Sequence, residues 1–373
     1  MSKYIYELPD FPNFYWDSAK ILTPLSEVRF LQGRVLGKMQ SLGFDIQQES
    51  NLLLLEKEII TSSEIEGEIY KPEEVRSSIA KKIGANIDNN QPTNRNIDGF
   101  VDLLLDATQN YTTAISEERL FNWHGALFPT GRSGLHSITT AHWRKDEKGP
   151  MQVVSGGFGK EKVHFEAPNA IFVTDLMNIF LDWLNNASQE DLIIKTAIGH
   201  LWFLTIHPFE DGNGRIARAI SESMLAKSED AAMRFYSLSS QILKNKKDYY
   251  LLLEQSQKGN LDCTNWLLWF LEILKKAIIQ SEVIISAVLQ KSAFWKLHEK
   301  TILNQRQQKM LGILWDDFEG NLTTKKWALL SKCSDDTALR DINELILKKI
   351  LYKEDKGSRS TSYKIMLTQP FQT

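Results

Sequence analysis

With 373 residues, of which 42% are apolar and 24% charged, the chain has the composition of a soluble globular protein and enough length for two or three domains. Its net charge of −3 gives no general argument for a nucleic-acid or anionic-membrane partner. Cys263 and Cys333 lie far apart, which excludes a disulfide framework and fits a reducing cytoplasm. No apolar run is long enough to cross a bilayer and residues 1–7 lack a signal-peptide pattern, so we expect a cytoplasmic protein without a membrane partner.

The first part of the chain is predicted to be helical after an aromatic, proline-rich arm over residues 1–25. We expect the arm to pack its rings on the body of the protein, with a peptide-binding surface as the alternative. Apolar residues at helical spacing predict a helix over 26–42, ended by Gly43, and a second helix that begins at the N-cap Ser50. Further helices are predicted over about 73–83, 96–109 and 116–128.

The second predicted helix runs into residues 61–67, with the sequence TSSEIEG. Glu66 stands in its last turn, where the negative end of the helix dipole disfavours a carboxylate by roughly 0.3–1 kcal/mol. We therefore expect a compensating positive group, such as an arginine, to lie against it. The simpler interpretation is a helix that ends at Gly67 and carries a solvated glutamate.

Helical periodicity disappears over residues 143–168. Short β-type runs at Val153 and Val154 and over 163–165 flank several glycines, which predicts a β-hairpin with a glycine-rich turn. Gly156 and Gly157 are not predicted to bind phosphate, because no helix begins behind them. Two helices then follow, over 170–186 and about 191–205.

The densest group of reactive side chains lies over residues 207–218, with the sequence HPFEDGNGRIAR, between two helical runs. The Gly-Asn-Gly turn at 212–214 opens the second of these helices. The first N–H groups of a helix lack partners and bind anions, and glycines let the backbone approach a phosphate closely. Arg215 and Arg218 are three residues apart, so both can face the same anion.

Two more residues of this stretch have a chemical meaning. Asp211 would repel a phosphate unless a divalent cation joins them, and Mg²⁺ commonly bridges carboxylate and phosphate oxygens. His207 has an ordinary pKa near ~6.5, which suits it to accept a proton at neutral pH. Each feature alone is common in turns and solvated helix faces, but their combination favours a site for a nucleotide polyphosphate with Mg²⁺ and a base beside it. Phe209 is the exception and is predicted to be a core anchor.

Residues 207–218 resemble the Fic family signature HPFxDGNGRxxR at every fixed position. The resemblance implies an enzyme that transfers AMP from ATP to a hydroxyl side chain of a target protein. The implied roles are the general base for His207, the Mg²⁺ ligand for Asp211, the phosphate-holding turn for Gly212, Asn213 and Gly214, neutralisation of the leaving pyrophosphate for Arg215, and contact with the terminal phosphate for Arg218. The related death-on-curing toxins have lysine at the second glycine position and transfer a phosphoryl group, so Gly214 favours AMP transfer.

The segment that ends the second helix also resembles a Fic-family element. Ser62, Glu66 and Gly67 fit the inhibitory pattern [ST]xxxE[GN]. In the family this glutamate pairs with the second arginine of the signature, here Arg218, and blocks the place of the terminal phosphate. The resemblance therefore implies autoinhibition by a helix that precedes the catalytic core.

The predicted hairpin resembles the flap of the Fic family, to whose edge a target segment adds as an extra strand. This implies target docking by four residues, Val154, Val163, His164 and Phe165. Tyr249 and Tyr250 form an adjacent aromatic pair, and an aromatic face can stack on a base. Such a pair after the signature is a family feature of the adenine pocket, which implies that Tyr249 contacts the nucleotide. Core packing of the tyrosines is the alternative.

Residues 296–373 have a separate pattern, with helices predicted over 307–318, 326–332 and 336–349 and a terminal hairpin around a turn at 357–359. The residues of the last helix that are predicted to face the core are Leu339, Ile342, Leu345 and Ile346. This order of elements resembles a winged helix-turn-helix. Residues 300–373 hold 13 basic and 9 acidic residues, an excess that could contact DNA phosphates. The same module also serves in protein contacts, and the acids in the candidate recognition helix count against DNA.

The sequence thus predicts a mainly α protein with a cap over 1–110 whose inhibitory helix covers about 50–68, a Fic-type core with a β-hairpin flap over 111–292, and a winged helix-turn-helix over 296–373. The expected activity is transfer of AMP from ATP, with Mg²⁺, to a Ser, Thr or Tyr hydroxyl of a target protein or of the chain itself, with autoinhibition by Glu66. The alternatives are a hydrolase that removes AMP from a target and a DNA-binding regulator. A homodimer is left open.

Overall fold

The computed structural model describes residues 4–84, 94–147, 149–156, 162–187, 189–316, 318, 320–354 and 361–366. The fold is mainly helical with small two-stranded sheets, as predicted. The chain divides into two compact units, residues 1–284 and 285–373. Among the described residues, no helix combines the length and the apolar character that a membrane-spanning segment requires.

The first unit holds most of the helices and two of the hairpins. A short 3₁₀ helix, Ile5–Glu7, precedes its regular elements. The helices are α1 (Ser18–Gln40), α2 (Phe44–Ile65), α3 (Pro72–Ile83), α4 (Arg95–Gln109), α5 (Glu117–Leu127), α6 (Val173–Asn185), α7 (Leu192–Ile206), α8 (Asn213–Glu229), α9 (Leu238–Lys244), α10 (Lys246–Lys258) and α11 (Thr264–Leu297), within which the unit boundary falls. The strands are β1 (Arg132–Ser133), β2 (His136–Ser137), β3 (Gln152–Ser155) and β4 (Lys162–Glu166).

The second unit adds three helices and a third hairpin, in the order predicted from the sequence. They are α12 (Gln305–Asp316), α13 (Thr324–Ser331), α14 (Asp335–Leu347), β5 (Leu351–Lys353) and β6 (Tyr363–Ile365). Its core forms around Trp327, Ile342 and Leu345, all fully buried. Leu339, which was predicted to face this core, is 41% exposed, so that prediction is wrong: Ala338 is the buried neighbour. The predicted turn at 357–359 lies outside the described residues.

The centre of the first unit is the packed pair α7 and α8, joined by the short loop that carries the signature. Every residue of α7 from Ile193 to Ile206 is buried, because the helix is apolar on all sides and other helices surround it. α8 packs along α7 and also contacts α4, α5 and α2. The loop between α7 and α8 therefore rests on a rigid base.

The predicted hairpin over 143–168 is confirmed as the antiparallel pair β3 and β4. Val153 faces Phe165 and Val154 faces Val163, so His164 has no partner in the register and lies at a β-bulge. Residues 157–161, which include the predicted glycine-rich turn, lie outside the described residues.

Two helix boundaries differ from the prediction. α1 begins at Ser18 rather than 26, because the carboxylate of Asp17 accepts hydrogen bonds from the N–H groups of Ala19 and Lys20. Pro24 lies inside the helix, whereas the prediction placed it before the start. α2 begins at Phe44 with Gly43 as its N-cap, and Ser50, predicted as the cap, is a fully buried residue in the helix interior.

Candidate active site

The signature loop is shaped by two residues with left-handed backbone angles. His207 ends α7 with φ at 52°, and Gly212 precedes α8 with φ at 79°. A Cβ at Gly212 would lie 2.8 Å from the ring of Phe128, so the position needs glycine for its angle and for the space. The loop consequently delivers His207 and the N-terminus of α8 to the same cavity.

His207 is oriented by its own helix. Its Nδ1 lies 3.3 Å from the carbonyl oxygen of Leu204, which can only accept, so Nδ1 carries the proton and Nε2 has a free lone pair. Burial lowers the pKa of the imidazole to about 4, and nearby Arg144 adds to this shift. His207 is therefore neutral at pH 7 and able to act as a base.

The backbone of the loop is fixed by buried contacts around Phe209. The side chain of Asn213 accepts a hydrogen bond of 3.0 Å from the Phe209 N–H and donates one of 2.8 Å to its carbonyl oxygen. The Phe209 ring is fully buried, as predicted, and stacks on His124 with ring centres 4.2 Å apart. Because its side chain is engaged in the loop, Asn213 can meet a phosphate only through its backbone N–H.

Asp211, the predicted metal ligand, lies at the cavity wall. Its Oδ2 accepts a hydrogen bond from the Ser133 hydroxyl, and its backbone carbonyl contacts His124 Nε2 at 3.2 Å. Burial lowers the pKa of His124 to about 4, so this histidine is a neutral core residue. Within the described ranges, no group of three or more His, Cys, Asp or Glu side chains is arranged to hold a metal ion.

Arg218 is buried and bound by the end of α2. Its Nε donates to the Ser62 hydroxyl at 2.7 Å, and its Nη2 donates to the Ser62 carbonyl at 2.9 Å and to Glu66 Oε1 at 2.7 Å. Burial alone would lower the pKa of this guanidinium, but the Glu66 carboxylate reverses the direction and raises it. The arginine expected to compensate Glu66 is therefore Arg218.

Glu66 also meets the N-terminus of α8. A Cβ placed on Gly214 would overlap the Glu66 carboxylate, which shows how closely that carboxylate lies against the first turn of the helix. A helix N-terminus attracts an anion through its unpaired N–H groups and its dipole. The Glu66 carboxylate thus lies against the positive end of the α8 dipole.

A cavity of about 610 Å³ opens beside the signature loop. Its walls come from the loop and α8, from the flap strands β3 and β4, from Glu66, and from one side of α10. The lining residues on α10 are Lys246, Tyr249, Tyr250, Leu253, Glu254 and Gln257. All sequence-predicted catalytic, phosphate-turn and metal residues except the two arginines line this cavity, and both arginines lie behind Gly214 in α8.

The four residues predicted for target docking differ in exposure. Val154 and Val163 are 49% and 39% exposed. Phe165 is 1% exposed and packs edge-to-face against Tyr4 and Tyr6, so its ring supports the flap from below and is not free to contact a target. This contact confirms that the N-terminal arm packs its aromatic side chains on the body.

His164, the fourth of these residues, fastens the flap to α10. Its Nδ1 lies 2.7 Å from Glu254 Oε2, and its Nε2 lies 2.6 Å from the Ser155 hydroxyl. The side chain is consequently engaged within the protein, while its backbone stays part of the β4 strand.

Tyr249 lies at the base of the cavity with only 2% of its surface exposed. Its hydroxyl bonds to His200 Nε2 at 3.0 Å, and its ring stacks on Trp269 at 5.5 Å. Tyr250, the next residue, is 38% exposed and offers the more accessible ring. Both interpretations of the tyrosine pair thus have a structural counterpart, packing at Tyr249 and an open aromatic face at Tyr250.

Sequence reasoning missed residues that hold the site from a distance. Arg144 is 3% exposed and donates from Nε to the His207 carbonyl at 2.8 Å, so it fixes the start of the loop. Ser133 holds Asp211, and Glu68 contacts Arg215. The local sequence signal for Arg144 is limited to its position directly after a tryptophan. Ser133 and Glu68 have no local sequence signal.

Comparison with known proteins identifies the fold. The fold is Fic-like: a crystal structure of a Fic family protein from Desulfovibrio desulfuricans G20 superimposes with a TM-score of 0.54, at 22% identity, over 96% of this chain and 99% of that one. Residues 114–225 match the Fic/DOC family and residues 4–85 match a domain of unknown function, DUF4172. The chain thus contains a region that matches the Fic/DOC family and, before it, a region that matches DUF4172.

Two curated relatives are similar to part of this chain. A stretch of 95 residues is 30% identical to a probable protein adenylyltransferase, aq_aa38, from Aquifex aeolicus and covers 26% of this chain and 27% of that protein. A stretch of 89 residues is 35% identical to the protein adenylyltransferase Fic of Nematostella vectensis, covering 23% of this chain and 19% of that protein. The chain therefore matches only about a quarter or less of the length of these relatives.

Proposed function

We propose that this protein is an adenylyltransferase that moves AMP from ATP to a hydroxyl side chain of a protein, and that Glu66 holds it inactive. The observation that carries the proposal is the shared cavity of a neutral His207 with a free Nε2 and the N-terminus of α8. The names of the distant relatives, both protein adenylyltransferases, support the same reaction class.

The buried arginines fit a polyphosphate. Arg215 Nε and Arg218 Nη1 have no hydrogen-bond partner among the described residues, although both side chains are almost fully buried. Unsatisfied buried guanidinium groups are costly, and phosphate oxygens would supply the missing acceptors. The glycine at position 214 leaves room for a phosphate against the helix N-terminus once Glu66 has moved away.

The proposed reaction needs one proton transfer. Nε2 of His207 takes the proton of the target hydroxyl, the hydroxyl oxygen forms a bond to the α-phosphorus of ATP, and the bond to pyrophosphate breaks. Arg215 and Arg218 stabilise the negative charge of the pyrophosphate as it leaves. Val154 and Val163 at the exposed flap would contact the docked target segment.

Asp211 fits the role of a Mg²⁺ ligand. Its carboxylate makes hydrogen bonds with Ser133 and with the Gly212 N–H, and no lysine or arginine of the described residues forms an ion pair with it. Magnesium in nucleotide sites is held by one or two carboxylates together with phosphate oxygens. When bound, the ion would offset the charge of the phosphates.

The direct test is incubation of the purified protein with Mg²⁺ and ATP labelled at the α-phosphate. We expect weak labelling of the wild type, and at least about tenfold more labelling of Glu66→Gly, because removal of one charge-assisted contact is worth about 1.4 kcal/mol or more. Glu64→Gly is the matched control, since Glu64 is an exposed residue of the same helix end. If Glu66→Gly binds ATP and labels nothing, neither itself nor proteins of a cell extract, the proposal is wrong.

A hydrolase that removes AMP from a modified protein is the second candidate, because Glu66 lines the cavity together with His207 and could orient a water molecule. The two candidate functions predict opposite effects of Glu66→Gly on activity. Wild type should release AMP from a modified target, and Glu66→Gly should lose that activity. The adenylyltransferase predicts that Glu66→Gly gains transfer activity instead.

The second unit is proposed to be a winged helix-turn-helix, supported by the order of α12, α13, α14 and the hairpin β5–β6. The exposed side of α14, its candidate recognition helix, presents Asp335 and Asp336 and one arginine, Arg340. These acids would repel DNA phosphates. We therefore favour protein contact over DNA binding for this unit.

A further inference from the structure

Glu68 lies two residues beyond the inhibitory glutamate and contacts the other arginine of the signature. Its Oε2 is 3.0 Å from Arg215 Nη1 and accepts a hydrogen bond of 2.6 Å from the Tyr70 hydroxyl. The Arg215 side chain is 3% exposed, and its guanidinium lies 5.0 Å from the centre of the Phe128 ring. Each arginine of the signature therefore forms an ion pair with a carboxylate from the same short segment.

The backbone turn after α2 explains why both acids face α8. The N–H of Glu68 bonds to the Ser63 carbonyl and the N–H of Gly67 bonds to the Glu64 carbonyl, the two bonds of a Schellman motif. Gly67 has φ at 86°, the left-handed angle that this motif needs. The turn places Glu66 at the C-cap of α2 and Glu68 just past the glycine, so one local structure aligns both carboxylates.

We propose that Glu68 is a second inhibitory carboxylate, which occupies the β-phosphate position at Arg215 while Glu66 occupies the terminal-phosphate position at Arg218. This inference rests on the proposed function, because it takes from it that Arg215 and Arg218 bind the two phosphates of the leaving pyrophosphate, and it assigns the β-phosphate to Arg215. It adds that the resting site weakens the binding of ADP as well as that of ATP. A single displacement of the Gly67 turn would free both arginines.

The Tyr70 hydroxyl strengthens the assignment. Tyr70 is partly buried, and burial followed by the hydrogen bond to Glu68 raises the pKa of its phenol, so the hydroxyl stays protonated and donates to the carboxylate. Glu68 is thus directed at Arg215 by a second partner rather than left as a mobile surface acid. An exposed ion pair alone would be worth little, but here the arginine is almost fully buried.

The test is titration of the full-length protein with ADP and Mg²⁺ by calorimetry. ADP is suitable because it carries no phosphate for the Arg218 position and cannot donate AMP with pyrophosphate as the leaving group. We expect Glu68→Gln to tighten ADP binding by about tenfold relative to wild type, since the pair with Arg215 is a charge-assisted contact. Glu64→Gln, the exposed neighbour, should leave the dissociation constant unchanged.

Two further variants keep the test decisive. Tyr70→Phe keeps the charge of Glu68 but removes its second anchor, and should tighten ADP binding by about two- to fivefold. In the Glu66→Gly background, Glu68→Gln should lower the KM for ATP by about tenfold and leave kcat nearly unchanged. An ADP dissociation constant within about twofold of wild type for both Glu68→Gln and Tyr70→Phe overturns the inference.

Failure of this inference can be told apart from failure of the proposed function. If Glu66→Gly transfers AMP but Glu68→Gln changes neither ADP affinity nor KM, the transferase assignment stands and Glu68 is only a structural partner. If neither Glu66→Gly nor the double variant transfers AMP although both bind ATP, the proposed function itself is wrong.

Discussion

The signature loop and the end of α2 both line the nucleotide-sized cavity, but they are held in different ways. The loop is fastened by side chains that are almost fully buried, Asn213 at 2% exposure and Phe209 and His124 at 0%. The acids at the end of α2 reach the arginines from partly exposed positions, with side-chain exposures of 30% for Glu66 and 38% for Glu68. The loop is thus held by buried contacts, whereas the proposed inhibitory acids are held at partly exposed positions.

The strongest test of this contrast is to remove the base and leave the rigid loop in place. In the Glu66→Gly background, His207→Ala should lower the rate of AMP transfer by about 10²–10⁴-fold, the usual contribution of a general base. ATP affinity should stay within about threefold, because the contacts that hold the loop come from Asn213, Phe209 and Arg144. A His207→Ala variant with near-normal transfer would show that another group takes the proton.

The rigidity of the loop predicts a large stability effect at its clamp. Asn213→Ala removes both side-chain bonds to the Phe209 backbone and leaves a buried N–H and a buried carbonyl unpaired. We expect the free energy of unfolding, measured by urea titration, to fall by about 2–4 kcal/mol, because each unsatisfied buried group costs roughly 1–3 kcal/mol. The exposed Asn122→Ala should stay within about 0.5 kcal/mol. Equal stabilities for the two variants would contradict the account of a clamped loop.

A smaller effect follows from the histidines around the loop. Burial is the main cause that lowers the pKa of His124 and His207 to about 4 and that of His200 to about 3, below the ordinary value of 6.5. Between these values the unfolded chain binds protons that the folded protein does not. Their contribution to stability is therefore complete above pH 6.5 and is lost as the pH falls toward 4.

Each such histidine should add up to about 1.4 kcal/mol per pH unit to the slope of unfolding free energy between about pH 6 and 5. His200→Gln should reduce that slope by up to about 1.4 kcal/mol per pH unit, the contribution of one proton, because a glutamine does not titrate. Urea unfolding at pH 7, 6 and 5 measures both slopes. If the variant keeps the wild-type slope, His200 is not a neutral buried base in the folded protein.

The sequence was most informative where the candidate functional residues are consecutive in the chain. The signature over 207–218 fixes its own loop through local bonds, so the order of its residues was enough to assign His207, Asp211 and Gly214 to one site, and all three line the same cavity. A carboxylate at a helix C-terminus was expected to need a positive partner, and the resemblance to the Fic family implied that Arg218 pairs with Glu66.

Contacts between distant segments were not predictable in the same way. Arg144, Ser133 and Glu68 act on the loop from separate elements, and nothing in their local sequence reveals which backbone they will meet. Phe165 was assigned to an exposed edge, because the sequence does not show that the N-terminal arm covers its ring. The direction of a side chain at a β-bulge cannot be read from the sequence either, so the contact of His164 with Glu254 of α10 was not predicted.

The central claim is that the α8 N-terminus holds a triphosphate with its α-phosphorus beside His207, and that Glu66 excludes it at rest. A crystal structure of Glu66→Gly with Mg²⁺ and an ATP analogue that has a non-cleavable α,β bridge tests this directly. We expect the α-phosphorus beside His207, with room for an attacking hydroxyl between it and Nε2, and the terminal phosphate on Arg218. A triphosphate bound away from residues 212–215, or the same pose in wild type with Glu66 still on Arg218, would contradict the account.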